Sequence, residues 1–344
     1  MIREVIFNQK MAQKIFDFCR RFNVGITGSD FLLGRIAGNI ETENQDSNAS
    51  IDAVVEIHEP EVYKTIVRDK RYPYLTVNTS KNNREMEYYR YNTFVRKIRI
   101  LREGLYTVEV NIEGDESAGL ICFRHFCNNH PSLIQTPLLH ASLVNLGNEG
   151  ILISGDTRTG KTSLMVYLME YLKAGMISED NVYLEKDMAG IYYPKVPRVR
   201  FSTVRDSCLS PLLKKLEDTQ ATQYWDVESI EKVVSQGTLD IDGGLAISRR
   251  KIAEMCGVET SESVKIEKVI FPSYSEGELF FEEIEQEEGF HMLEKFGREK
   301  KKNLDPREID YESIDLTEFE RKNIRFYTLK FSGIKALVNR RFAL

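Results

Sequence analysis

One eight-residue stretch, GDTRTGKT at Gly155–Thr162, constrains this 344-residue chain more than any other part of its sequence. It matches the pattern G-x-x-x-x-G-K-[ST], in which glycines let successive backbone N–H groups converge on phosphate oxygens. The apolar run GILIS precedes it, and the apolar-striped run TSLMVYLMEYLKAG follows it and ends on Gly175, a typical helix cap. This context predicts a strand, a phosphate-binding loop and a helix in that order, and therefore nucleotide binding.

Each part of the predicted loop has a role. The loop backbone and the helix N-terminus hold phosphate, Lys161 reaches the β- and γ-phosphates, and the Thr162 hydroxyl ligates Mg²⁺. The predicted ligands are therefore ATP and Mg²⁺, although the sequence does not separate ATP from GTP. The predicted nucleotide-binding residues are Gly155, Asp156, Thr157, Arg158, Thr159, Gly160, Lys161 and Thr162.

Two acidic residues, Glu179 and Asp180, follow the loop closely, since Glu179 comes 18 residues after Lys161. A helix of about 13 residues carries the chain roughly 20 Å away from the phosphates. Five extended steps of about 3.3 Å each then return it by roughly 17 Å. The run GMISEDNVYL is thus predicted to be a strand that delivers both carboxylates to the metal, with Thr162. The alternative is that they are ordinary turn acids.

Upstream of the loop, ASLVNL and GILIS are two predicted strands joined by GNEG, a hairpin signal. If Leu146 pairs with Ile151, the register places His140 opposite Thr157, beside the loop. His140 would then hydrogen-bond a phosphate oxygen or hold a carboxylate. A capped histidine at a strand end, without a role in binding, is the alternative.

A nucleotide, a metal, a histidine and two carboxylates at one sheet edge are what phosphoryl transfer requires, together with a base that accepts a proton. The predicted catalytic residues are Asp180 as the base, His140 and Lys161. The predicted function is an ATP- and Mg²⁺-dependent kinase acting on a hydroxyl, either of a protein or peptide serine or of a small molecule. The alternative is a nucleotide-binding regulatory ATPase or switch without a phosphoryl acceptor.

Three motifs in order, HASLV, GDTRTGKT and EDNV, resemble the core of the bacterial HPr kinase/phosphorylase family over His140–Leu184. The resemblance implies an α/β fold with a P-loop core of the HPr kinase and phosphoenolpyruvate carboxykinase type. It also implies that Lys161 and Thr162 act on phosphate and metal, that Asp180 is the base, and that His140 lies in the site.

The chain departs from this family at several positions. Arg158 stands where the family loop has a glycine, Ser163 replaces a glutamate, and Glu179 replaces an aspartate. The run YYPKVPRVRFSTVRD is more similar to a segment of smaller HPr kinase-like proteins, in which Arg198, Arg200 and Arg205 are candidates for phosphate or substrate contact. Exposed arginines at strand ends are the alternative.

The domain prediction divides the chain into an N-terminal α+β region at 1–131 and a P-loop kinase-like domain at 132–344. Helical spacing predicts a helix from Ile2 to about Phe22, and five alternating runs between Asp52 and Phe126 predict strands: AVVEIHE, PYLTVN, TFVRKIRIL, YTVEVNI and GLICFRHF. Near the C-terminus, FFEEIEQEEGFHMLEKFGREKKKN has the spacing of a solvated helix, and IRFYTLKFSGIKALV predicts a strand followed by a helix.

The net charge of −6 argues against nucleic acid as a partner, and no apolar run is long enough for a membrane span. Five cysteines, an odd and sparse set, are typical of free thiols in a reducing compartment, so the predicted location is the cytoplasm. The predicted partner is a hydroxyl-bearing protein, peptide or metabolite. Whether the chain forms a homo-oligomer is left open.

Overall fold

The computed structural model describes eight strands within the first 110 residues, and then residues 136–193, 197–214, 244–275, 277, 279–296, 316–317, 319, 324–340, 342 and 344. Contacts divide the chain into two compact units. One is Met1–Gln135 with Lys301–Asp310, and the other is Thr136–Lys300 with Tyr311–Leu344. In the described parts, the fold is α/β with mixed sheets of mostly antiparallel strands.

The first unit contains one eight-stranded sheet with the order β3-β1-β2-β4-β8-β7-β6-β5. Among the described strands of this sheet, only the pairs β2–β4 and β4–β8 are parallel. The strands are β1 (Ala12–Phe18), β2 (Phe22–Gly28), β3 (Glu43–Asn44), β4 (Ala53–His58), β5 (Leu75–Thr79), β6 (Glu85–Arg90), β7 (Thr93–Arg102) and β8 (Leu105–Val110).

The helix predicted from Ile2 to Phe22 is wrong over the part that the structure describes. Ala12–Phe18 is a strand that pairs antiparallel with β2, from Ala12 opposite Gly28 to Phe18 opposite Phe22. The apolar residues of this segment fit both the helical and the strand period, and pairing with the neighbouring strand β2 selects the strand. Four of the five predicted strands are confirmed as β4, β5, β7 and β8, while GLICFRHF lies outside the described residues.

The second unit begins with short strands and the loop-flanking helix. These are β9 (Leu138–Leu139), β10 (Ala141–Leu146), β11 (Glu149–Ser154), helix α1 (Lys161–Leu172), β12 (Gly175–Ser178), β13 (Val182–Leu184) and β14 (Ala189–Tyr192). After them come β15 (Arg198–Arg200), α2 (Phe201–Arg205), α3 (Pro211–Lys214), β16 (Gly244–Ala246) and α4 (Arg249–Cys256). The remaining elements are β17 (Ser263–Tyr274), β18 (Phe280–Ile284), α5 (Gln286–Phe296), β19 (Arg325–Phe331) and α6 (Ile334–Asn339).

The main sheet of this unit has the order β12-β10-β11-β17-β14-β13-β9, with β19 paired to β17 and β18 paired to β19. The pairs β11–β17 and β17–β19 are parallel, and the other described pairs of this sheet are antiparallel. The long strand β17 joins the β12-β10-β11 part of the sheet to the β14-β13-β9 part. Its N-terminal part pairs with β14, and its C-terminal part pairs with β11 and β19.

Helix α1 packs its apolar residues into the core against the sheet. Leu164, Met165, Leu168 and Met169 are fully buried and belong to one cluster with strand residues such as Ile153. Burial of each such side chain contributes about 1.5–3 kcal/mol relative to its exposure. The packing fixes the helix, and with it the loop at its N-terminus, to β10 and β11.

Three sequence predictions about elements in this unit need correction. The run GMISEDNVYL is not one strand, because a turn at Glu179–Asn181 separates β12 (Gly175–Ser178) from β13 (Val182–Leu184). The C-cap of α1 is Lys173, at φ 59°, and Gly175 instead begins β12, because Ala174 N–H already closes the helix on the Leu168 carbonyl at 3.1 Å. The helix predicted from Phe280 onward starts as β18, which pairs with β19, and becomes helical only at Gln286. The strand and helix predicted at the C-terminus are confirmed as β19 and α6.

No helix among the described residues is both long enough and apolar enough to cross a membrane.

Candidate functional site

The strand directions bring the sequence-predicted residues to one edge of the sheet. Both β11 and β12 run antiparallel to β10, which lies between them, so they run parallel to each other. Their C-terminal ends, followed by the Gly155–Thr162 loop and by Glu179, therefore meet at the same edge. The N-terminal end of β10, preceded by His140, lies at that edge too.

The Gly155–Thr162 loop is closed around its own lysine. Lys161 is 7% exposed, and its Nζ donates to the carbonyl oxygens of Gly155 and Asp156, each at 2.8 Å. The Thr159 hydroxyl also donates to the Asp156 carbonyl, at 2.9 Å. The positive charge of Lys161 is thus held at the start of α1, where the helix N-terminus adds to an anion-attracting potential.

Three backbone positions in this loop have a positive φ, and the first of them is Gly155 at φ 158°. Gly160 has φ 99°, and a Cβ built on it would lie 2.7 Å from Cζ of Phe331, so the loop turns at a site that has no room for a side chain. Arg158 has φ 71°. Arg158 therefore has a backbone conformation that glycine adopts more readily.

Glu179 lies directly against the loop. The Thr162 hydroxyl donates to Glu179 Oε1 at 2.7 Å, and Glu179 is only 6% exposed. A hydroxyl and a carboxylate side by side are oxygen ligands of the kind that Mg²⁺ prefers. The structure therefore brings together two of the three predicted metal ligands.

Among the described residues, no group of three or more His, Cys, Asp or Glu side chains is arranged to hold a metal ion. Mg²⁺ usually binds through one or two carboxylates, waters and substrate phosphates. The Thr162–Glu179 pair fits such a partial ligand set.

His140 and Asp180 form a second pair at the same edge. His140 Nδ1 lies 3.2 Å from Asp180 Oδ1 and 3.1 Å from the Asp180 carbonyl oxygen. The two side chains are 25% and 32% exposed, so both remain accessible to a substrate. His140 thus contacts a carboxylate, which is one of the two contacts that the sequence offered for it, and its role in binding stays a prediction.

The route by which His140 reaches this edge differs from the prediction. The hairpin turns through Gly147 and Asn148, so that Leu146 pairs with Glu149 rather than with Ile151. Because Gly147 adopts φ 72°, a tight two-residue turn is feasible there. His140 is positioned instead by β9, whose Leu139 pairs with Val182 two residues after Asp180.

Asp180 lies in a tight turn that the surrounding backbone fixes. Its φ of 66° is left-handed, a conformation that aspartate tolerates better than most residues. The buried Ser178 hydroxyl donates to the Asn181 carbonyl and accepts from the Tyr193 N–H at 3.2 Å. The first bond spans the Glu179–Asn181 turn, and the second ties the start of this turn to Tyr193, the residue after β14.

A buried arginine that sequence reasoning missed supports the strand leading into this turn. Arg249 Nη1 donates to the carbonyls of Ile177 at 3.0 Å and Ser261 at 2.8 Å, and its guanidinium lies 3.7 Å from the Tyr192 ring centroid. No local sequence pattern distinguishes Arg249 from the neighbouring Arg250 at the same helix start, so its burial could not be predicted from the sequence.

The three arginines of the predicted phosphate- or substrate-contacting segment lie on two elements, β15 and α2. Arg198 and Arg200 are exposed on β15. Arg205 bonds Asp206 through Nε at 2.8 Å and Nη2 at 3.0 Å, beside Glu170 in the last turns of α1. Glu170 is nine residues from Lys161, so Arg205 lies at the end of α1 away from the loop, by roughly 13 Å of helix.

Asp206 lies between Arg205 and Lys335, and these three residues form a second charged cluster. Burial by itself raises the pKa of Asp206, but hydrogen bonds from Arg205 and Lys335 outweigh it and leave this pKa below its ordinary value. Lys335 Nζ lies 3.3 Å from Asp206 Oδ1. The segment also contacts the first turn of α1, directly after the loop, because Thr203 Oγ1 lies 2.7 Å from Oγ of Ser163.

No protein-family model and no curated protein sequence matches this chain.

Proposed function

We propose that this chain is an ATP- and Mg²⁺-dependent phosphotransferase with a P-loop core of the HPr kinase type, which phosphorylates a hydroxyl group. The acceptor is a serine of a protein or peptide, or an alcohol of a small molecule. One observation carries the proposal: consecutive acidic residues make the two contacts that the reaction needs. Glu179 bonds Thr162 of the loop, and Asp180 bonds His140.

On the donor side, the loop backbone and Lys161 would hold the nucleotide phosphates. Lys161 is already buried and directed over the loop by two carbonyl oxygens, which a phosphate would replace as its partners. Thr162 and Glu179 would hold Mg²⁺, directly or through a water. The ion, when bound, would neutralise charge that develops on the transferred phosphoryl group.

On the acceptor side, Asp180 would accept the proton of the attacking hydroxyl. Its carboxylate is one-third exposed and adjacent in sequence to the metal-side Glu179, and His140 restrains its orientation through Nδ1. A fixed, accessible carboxylate of this kind suits general-base catalysis, which contributes about 10²–10⁴-fold to a rate.

The test is transfer from γ-labelled ATP to a cell extract or metabolite pool, comparing the wild-type chain with Asp180→Asn. Asparagine accepts positive φ as aspartate does, so the turn should persist. We expect loss of labelled product by at least about 10²-fold with unchanged ATP binding. The matched control is Asp187→Asn, at an exposed turn acid whose Oδ1 accepts from Ala189 N–H, and it should transfer normally.

The regulatory ATPase or switch gives a different pattern in the same assay. It would release labelled inorganic phosphate slowly and leave no phosphorylated product, in the wild-type chain as well as in the variant. Labelled product of equal yield from Asp180→Asn would mean that the assigned base is wrong.

A further inference from the structure

Two cysteines that the nucleotide site does not use face each other in the second unit. Cys208 follows α2 and Cys256 ends α4, and their sulfur atoms lie 2.9 Å apart as free thiols. Cys256 is 3% exposed, whereas Cys208 is partly accessible to solvent. Both positions are fully described parts of the chain.

The backbones that carry the two thiols are anchored on the same helix. Cys208 N–H donates to Glu170 Oε2 at 2.9 Å, and the Cys256 carbonyl accepts from Lys173 Nζ at 3.0 Å. Glu170 and Lys173 lie at the C-terminal end of α1. The closeness of the thiols thus follows from two separate hydrogen bonds to one rigid element.

We propose that Cys208 and Cys256 are a modification site at which a peroxide or a low-molecular-weight disulfide forms an intramolecular disulfide bond. A disulfide has sulfur atoms about 2.05 Å apart, so these sulfurs need to approach by only about 0.9 Å. A movement of this size is within the reach of small side-chain adjustments, and the hydrogen bonds to α1 can persist through it.

The chemistry balances with hydrogen peroxide as the oxidant. The Cys208 thiolate, as the accessible one, attacks a peroxide oxygen, and the O–O bond breaks to give a sulfenic acid and hydroxide, which takes up the thiol proton as water. Cys256 sulfur then attacks the Cys208 sulfur, and the S–O bond breaks with release of a second water. Two thiols are oxidised, and one peroxide is reduced to two waters.

The environment of Cys208 sets how fast this proceeds. The hydrogen bond with the Cys256 thiol, together with burial, raises the pKa of Cys208 above its ordinary value. Little thiolate is present near neutral pH, so oxidation should be slow there and should accelerate as the pH rises.

The bond would join two segments that contact the nucleotide site. The α2 segment contacts the loop helix through Thr203 and Ser163, and α4 contacts the strand before Glu179 through Arg249 and Ile177. Cys208 and Cys256 are 48 positions apart, and closing a loop of this length restricts the unfolded chain. The oxidised chain should melt at a higher temperature, by roughly 5–10 °C.

The experiment oxidises the wild-type chain and a variant that lacks the other three cysteines, C19S/C122S/C127S, with hydrogen peroxide. Thiols are then alkylated in denaturant, and peptides are mapped by mass spectrometry without reduction. We expect a linked peptide pair containing Cys208 and Cys256, a mass loss of about 2 Da for the two hydrogens removed, and a higher melting temperature that dithiothreitol reverses.

The matched control adds Cys208→Ser to the triple variant, which should show neither the linked peptides nor the rise in melting temperature. Because the wild-type chain is mapped in the same way, the result does not depend on folding of the triple variant. Separate alkylation of both cysteines after oxidation, or their linkage to other partners, would overturn the proposal. None of these measurements requires nucleotide binding.

Discussion

The backbone at Arg158 offers a quantitative test of the loop conformation. A residue with a side chain costs roughly 1–2 kcal/mol in the left-handed region, and Arg158 lies there at φ 71°. Glycine avoids this strain but loses about 0.5–1 kcal/mol more than alanine in conformational entropy on folding. At this position, glycine should therefore be more stabilising than alanine by roughly 0.5–1 kcal/mol.

The comparison of Arg158→Gly with Arg158→Ala isolates the backbone effect, because both variants remove the guanidinium. The matched control is the same pair of substitutions at exposed Thr157, which is not among the residues with positive φ. There, glycine should be less stable than alanine by about 0.5–1 kcal/mol. The sign of the difference should thus reverse between neighbouring residues.

The assay is urea denaturation of the four variants, with the free energy of unfolding taken from linear extrapolation. If Arg158→Gly is less stable than Arg158→Ala, as at Thr157, the left-handed turn is absent. Arg158 would then not have the positive φ that a glycine adopts readily.

Three further predictions concern the turn and the second charged cluster. His140→Asn should lower kcat about tenfold with little change in KM for ATP, because the Asp180 carboxylate keeps its charge but loses the contact that restrains it. An unchanged kcat would show that His140 has no part in the reaction. Ser178→Ala leaves the Tyr193 N–H without its hydroxyl acceptor and should lower the free energy of unfolding by about 1–3 kcal/mol, measured in urea; a change below about 0.5 kcal/mol would contradict this. Because the pKa of Asp206 is lowered in the folded chain, its stabilisation is present above its unfolded pKa and is lost as the pH falls through the folded value. Stability measured from pH 6 to pH 3 should therefore fall less steeply in Asp206→Asn than in the wild-type chain, and parallel curves would refute the sign.

Local patterns were sufficient to predict the loop and its neighbours. The pattern predicts the strand before Gly155 and the helix after it, because turn chemistry and apolar spacing are properties of short segments. It predicts the return strand only in part, because the turn at Glu179–Asn181 interrupts the run that reads as one strand. The contact of Glu179 with Thr162 is compatible with the chain lengths, because the roughly 20 Å that the helix carries the chain away nearly equals the roughly 17 Å that the extended segment returns it.

Non-local pairing explains what the sequence did not predict. The contact of His140 with Asp180 depends on the pairing of β9 with β13. These two short strands are not joined by a turn, so no local sequence pattern indicates that they pair. The strand at Ala12–Phe18 depends likewise on its partner β2. Buried polar supports such as Arg249 escape prediction because their partners are backbone carbonyls, which every sequence has.

The proposed reaction requires that a nucleotide's terminal phosphate, Mg²⁺ and the Asp180 carboxylate meet at the edge where β11 and β12 end. A crystal structure of the chain with Mg²⁺ and a non-hydrolysable ATP analogue tests it most directly. We expect phosphates on the Gly155–Thr162 loop, the metal ion beside Thr162 and Glu179, and Asp180 turned toward the terminal phosphate. A nucleotide bound elsewhere, or an Asp180 side chain directed away beyond the reach of a bridging ion or water, would contradict it.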